Sequence, residues 1–193
     1  TAKGAEMDKV RGLDAGADDY AGVDLPVRAT LSAQAVTRQY DSYNVVARLP
    51  GRHPGAGTVA LMGHWDHLGL CRPEGTADRI CNGAVDNASG IAVMLAVAAR
   101  LGAGPRLEHD VIAIATTAEE MGLLGADYYA DHPSVPLADI RILLNLDTVA
   151  IAPRGAPMAI IGRGTPLDAP IIAVARGLGR AIDEDGDADS FVR

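Results

Sequence analysis

Apolar residues along the chain fall into short unbroken runs, and several of these runs stop at a residue able to bind a cation or move a proton. "GTVALMG" (57–63), "HDVIAIATT" (109–117) and "IRILLNLDTVAI" (140–151) predict strands apolar enough to lie inside a sheet. "VRATLSAQAV" (27–36) and "SYNVVARL" (42–49) carry alternating and β-branched residues and predict two more, the second ended by the turn Pro50–Gly51. "PMAIIG" (157–162) predicts a further strand. Helical length and spacing appear in "NASGIAVMLAVAARLGAG" (87–104), with Asn87 as its N-cap and glycines at its end. "GLLGADYYADHP" (122–133), stopped by Pro133, and "DAPIIAVARGLG" (168–179) predict two more helices. Strands alternating with helices imply an α/β fold in three layers, a mostly parallel mixed sheet with helices on both faces. In such sheets ligands sit beyond the carboxyl ends of the strands.

Residues 1–26 break from this pattern. They are rich in alanine, glycine and aspartate, and predict a short helix near 4–13 followed by a loop. This divides the chain into an N-terminal segment, 1–26, reading as the tail of a preceding region, and a domain, 27–193. A length of 193 residues, 48% hydrophobic and 22% charged, suits a globular core rather than a disordered chain. The net charge of −8 and the lack of any lysine or arginine block argue against a nucleic-acid partner. No apolar stretch approaches the roughly 18–20 residues that span a bilayer. The chain starts at Thr1 without a basic segment leading into an apolar one, so no signal peptide is visible. Cys71 and Cys81 flank the polar loop "RPEGTADRI" and either close a small disulfide or remain two thiols.

The chemistry sits where the sheet rule places it. One strand ends in His64, Asp66 and His67; another ends in Glu119 and Glu120; a third ends in Asp147; and Asp86 stands just before a helix. Singly, each has a plain structural explanation, and adjacent acids such as Glu119 and Glu120 often simply open a helix. Together they bring imidazoles and carboxylates to one rim. Zinc suits these donors, which bind it at roughly 2.0–2.2 Å and leave positions open for water. An aspartate between two cations bridges them, one glutamate ligates, and its neighbour takes a proton from water.

"GHWDHLG", "NGAVDNASG", "TTAEEMGLLGADYY" and "LNLDTVA", in that order and spacing, resemble the co-catalytic di-zinc aminopeptidase family of aminopeptidase Y and the bacterial leucyl aminopeptidases. The likeness covers roughly residues 43–193 and includes "DSYNVVARLPG", similar to the strand that opens the family's core. It implies the zinc exopeptidase fold, incomplete here at its C-terminus, two zinc ions, peptide substrates and a secreted or periplasmic location. Carried over by position, it implies His64, Asp86 and Asp147 as ligands of one zinc, and Asp86 and Glu120 as ligands of the second. Glu119 corresponds to the general base, and Asp66 to the carboxylate that orients the His64 imidazole. His67 receives no role from the resemblance.

The chain departs from the family at its end. A Ser-Asp-His-x-x-Phe type segment supplies the last zinc ligand in the family, whereas "GDADSFVR" places Ala188 at the histidine position. Asp187 or Asp189 is then the available substitute. The loss keeps two alternatives beside the aminopeptidase reading: a single-zinc enzyme resembling the glutaminyl cyclases, or a binding domain with impaired catalysis. The sequon Asn87-Ala88-Ser89 lies inside the expected metal loop and is read as a chance match. The acidic run 183–189 lacks the spacing of a calcium loop and is read as a solvated loop. Trp65 is expected to pack beside the site. Oligomeric state leaves no sequence signal.

Overall fold

The computed structural model describes residues 39–53, 55–149, 153, 155–159 and 164–183. The expected segment 1–26, the strand at 27–36, residues 160–162 of the strand at 157–162, and Asp187, Ala188 and Asp189 lie outside the described residues. Nearly all that follows belongs to the compact unit beginning at Asp41.

Its centre is a four-stranded sheet. Strand β1 (Val45–Leu49) runs antiparallel to Asp110–Thr116; that strand runs parallel to β2 (Thr58–His64), which runs parallel in turn to Ile140–Asn145. In chain order the further elements are the two-residue strands β3 (Gly69–Leu70) and β4 (Ile80–Cys81), helix α1 (Ala88–Ala103), β5 (Asp110–Thr116), helix α2 (Leu124–Asp131), β6 (Ile140–Asn145), β7 (Met158–Ala159), helix α3 (Asp168–Gly177) and β8 (Ile182–Asp183). The sheet order is therefore β1-β5-β2-β6.

The two central strands are apolar along both faces because each face is covered. Val111 and Ala113 of β5 join Leu61 of β2 and Met94 of α1 in one buried cluster, with Ile91, Val97 and Leu101 of α1 packed against it. The alternate residues Ile112 and Ile114 of β5 join Ala60 of β2 and Tyr129 of α2 in the other. A period of two thus sends successive side chains to opposite helices. Full burial of a side chain the size of Ile112 or Ile114 stabilises the fold by about 1.5–3 kcal/mol. Among the described residues β1 and β6 stand at the edges of the sheet and are mostly exposed.

The polar loop after β2 holds an element that the sequence pattern does not predict. β3 and β4 form a small antiparallel hairpin, pairing Gly69 with Cys81 and Leu70 with Ile80. A Cys71–Cys81 disulfide closes it, with Cα atoms 5.9 Å apart.

The parallel arrangement decides where the chemistry goes. His64 lies opposite Thr116 and Met62 opposite Asn145, so β2, β5 and β6 finish at the same edge of the sheet. What each strand delivers after its last residue meets there.

Candidate metal centre

Three loops and one helix start build the site. β2 ends in His64, whose side chain is only 3% exposed. Its Nδ1 lies 3.1 Å from the Asp66 carbonyl oxygen, which can only accept, so Nδ1 donates there and Nε2 is the atom that faces the site. That Nε2 is buried and has no hydrogen-bond partner. It lies 3.0 Å from Asp86 Oδ1, 3.7 Å from Asp147 Oδ2 and 3.9 Å from Glu119 Oε2.

Asp66 lies beside the His64 imidazole. Its carbonyl, not its carboxylate, supports the imidazole; the nearest carboxylate oxygen is 3.7 Å from His64 Nδ1. The carboxylate instead accepts the backbone N–H groups of Glu119 at 3.1 Å and Glu120 at 3.4 Å. It therefore ties the loop after β5 to the turn after β2.

Glu119 and Glu120 do not open a helix. α2 starts at Leu124, and the intervening turn is closed by Gly122 and Leu123 amides donating to the Glu119 carbonyl. Ala118, just before the pair, adopts φ 51°, a left-handed conformation that costs an alanine about 1–2 kcal/mol. Backbone strain of this kind is concentrated at functional loops. Burial pushes the Glu119 carboxyl above its ordinary value; His64 opposes that shift, while Glu120, Asp147 and Asp86 add to it.

Asp86 and Asp147 come together through the residue after Asp86. Asn87, 2% exposed, caps α1 by accepting from Gly90 N–H at 3.0 Å. The same oxygen accepts from Thr148 N–H at 3.2 Å, and Asn87 Nδ2 donates to the Leu146 carbonyl at 2.9 Å. One amide thus fixes both neighbours of Asp147 against the start of α1. Thr148, with φ 50°, also donates its hydroxyl to Asp147 Oδ1 at 2.8 Å.

Two groups of donors result. His64, Asp86 and Asp147 offer atoms all within 4.8 Å of one another, and so do His67, Asp86 and Glu120. Asp86 belongs to both. All the expected site residues, His64, Asp66, Asp86, Glu119, Glu120 and Asp147, meet at this edge, and His67 joins them. Among the described residues no lysine or arginine forms an ion pair with any of these carboxylates. Imidazole and carboxylate donors, a buried Nε2 without a hydrogen-bond partner and acids gathered without a lysine or arginine among the described residues together fit a divalent cation of the zinc type. Trp65 is half exposed at the rim, its indole N–H donating to the Tyr43 carbonyl. The two concavities lined by Leu49, Leu101 and Val111, and by Thr58, Asp110 and Ser134, lie toward the opposite end of the sheet and hold none of these donors.

Known proteins share this arrangement of sequence and fold. The model of Peptidase family M28 matches residues 44–190. The probable leucine aminopeptidase 2 of Aspergillus oryzae is 36% identical over 125 residues, which is 64% of this chain and 23% of that protein. BSAP, a zinc aminopeptidase from Bacillus subtilis, superposes with a TM-score of 0.58 at 27% identity, covering 70% of this chain and 32% of its own. The glutaminyl cyclase of Porphyromonas gingivalis superposes with a TM-score of 0.55 at 24% identity, over 72% of this chain and 53% of its own, a likeness of fold. The chain therefore spans about a quarter of the length of the curated relatives it matches.

Proposed function

Because the chain belongs to peptidase family M28, we propose that it carries the metal-binding core of a zinc-dependent aminopeptidase that hydrolyses the amino-terminal bond of peptides. The observation behind this reading is the convergence of His64 Nε2, Asp86 and Asp147 on one point, with Glu119 beside them and outside both donor groups. The proposal includes two cations, one held by His64, Asp86 and Asp147 and the other by Asp86 and Glu120. When bound, such a pair supplies the charge that polarises a scissile carbonyl and makes a water acidic near neutral pH.

The chain's own residues do the rest. Asp86, common to both groups, sets their spacing. Glu119 takes the proton from the attacking water and later delivers it to the leaving amine. Its partly buried position raises its affinity for that proton, as a base working near neutrality requires. Asp66 holds the Glu119 and Glu120 amides in register with His64, so the base and the ligands move as one unit.

Glu119→Gln tests the assignment. Hydrolysis of an aminoacyl anilide should fall by about 10²–10⁴-fold, the usual contribution of a general base, while zinc content per chain stays at the wild-type level. Equal loss of zinc makes Glu119 a ligand and overturns its role. Cyclisation of an amino-terminal glutaminyl peptide is measured beside it, since a glutaminyl cyclase shares the fold; cyclisation without hydrolysis refutes the aminopeptidase reading. An export-competent location is also proposed, supported by the Cys71–Cys81 disulfide, which persists in oxidising compartments.

A further inference from the structure

His67 stands one residue beyond the turn that supports His64, and its surroundings are not those of an ordinary surface histidine. Its Nδ1 is buried and has no hydrogen-bond partner, and the same holds for Glu120 Oε1. These two atoms lie 2.5 Å apart yet do not meet in hydrogen-bond geometry. Asp86 offers a carboxylate oxygen to the same place, the ligand atoms of all three residues lying within 4.8 Å of one another.

The backbone holds His67 in that position. Gly83, at φ 63°, approaches so closely that a Cβ there would lie 2.7 Å from His67 Cβ and 2.9 Å from its Cγ. The Gly83 turn is itself fixed, with Asn82 Oδ1 accepting from Ala84 N–H and the Gly83 carbonyl accepting from Ala88 N–H, next to the start of α1. On the other side, the Asp66 carboxylate anchors the Glu120 amide. Two independent backbone attachments therefore bring Nδ1 and Oε1 together, one through 82–88 and one through 66.

We infer that His67 Nδ1 is the third protein ligand of the second cation position, completing a His67–Asp86–Glu120 triad beside His64–Asp86–Asp147. The site then takes a second zinc-type cation without a ligand from position 188. This rests on the proposed function only in taking Asp86 as a shared ligand. It makes the two positions alike, each with one imidazole, one terminal carboxylate and the common aspartate. The imidazoles come from opposite ends of the four-residue segment His64–His67 that leads from β2 into the loop.

Zinc binding to the 193-residue chain tests it, by metal analysis and calorimetry with zinc alone. The wild type should bind two zincs per chain. His67→Ala should bind one, and its second affinity should fall by about 100-fold or more, since loss of even an outer partner costs about 10–100-fold. His67→Asn, whose carbonyl oxygen sits near the place of Nδ1, should restore part of that affinity. His64→Ala should lose the other ion instead. In the wild type, the imidazole nitrogen resonances give a readout free of any variant: His64 Nε2 should shift with one equivalent of zinc and His67 Nδ1 with the other. Two zincs bound with unchanged affinity by His67→Ala, or a His67 Nδ1 resonance that zinc does not move, overturns the inference and leaves the aminopeptidase reading standing. One zinc in the wild type, lost in His64→Ala, does the same. No zinc in the wild type overturns both.

Discussion

Asn87 joins the start of α1 to the end of β6, and replacing it measures how far fold and site depend on one amide. Asn87→Ala removes the cap on Gly90 N–H, worth about 1 kcal/mol. It also leaves the Leu146 carbonyl and the Thr148 amide without their partner, at about 1 kcal/mol each, the low end of the cost for a buried unsatisfied group. The sum is about 3 kcal/mol. A unit of this size loses about 2–4 °C in Tm per kcal/mol, so zinc-free protein should melt about 6–12 °C lower, read by circular dichroism at neutral pH. Saturating zinc should widen the gap, because a ligand bound only by the folded form stabilises it by mass action, and Asp86 and Asp147 lose their common anchor in the variant. A decrease below about 2 °C would show that the Asn87 bonds do not bear on stability as argued.

Other outcomes follow from the same geometry. At Gly90 an added Cβ would lie 2.1 Å from the Leu146 carbonyl oxygen, so Gly90→Ala should destabilise by about 1–3 kcal/mol, as overpacking does, and weaken zinc binding in parallel; unchanged urea unfolding would contradict the tight helix-to-strand approach. At the far end of the sheet, the Gly51 N–H and the Arg48 guanidinium hold the Asp110 carboxyl below its ordinary value near 3.8. Its contribution is present above that value and lost as pH falls through the lower folded-state pKa, so wild type and Asp110→Asn should differ in urea midpoint at neutral pH and converge in acid. Glu119 has the opposite sign. With its folded-state pKa raised above 4.5, the zinc-free folded chain holds a proton that the unfolded chain releases, so stability should fall as pH rises through the Glu119 pKa, and Glu119→Gln should remove that slope.

The buried framework was legible because β2 and β5 are covered on both faces and read as near-continuous apolar runs, and because Asn87 marks a helix start by its chemistry. The edge at which His64, Asp86, Glu119 and Asp147 meet followed from parallel strands ending together. The hairpin of β3 and β4 was not legible, since two-residue strands carry no periodicity and are specified by pairing Gly69 with Cys81 across a loop. The turn from Ala118 to Leu123 was hidden for another reason: left-handed conformations fall on an alanine and a leucine, which give no sequence signal for them. Asp66 could be placed but its division of labour could not, because carbonyl and carboxylate belong to the same residue. His67 could be placed at the rim but given no role, because its neighbours there, Asp86 and Glu120, lie far along the chain. The one local signal was a second imidazole three residues after His64 in a single turn.

The most direct measurement is anomalous diffraction at the zinc edge from crystals of the 193-residue chain grown with zinc. A peak is expected about 2.0–2.2 Å from His64 Nε2 and from carboxylate oxygens of Asp86 and Asp147. Well-ordered His64, Asp86 and Asp147 with no zinc between them would contradict this expectation.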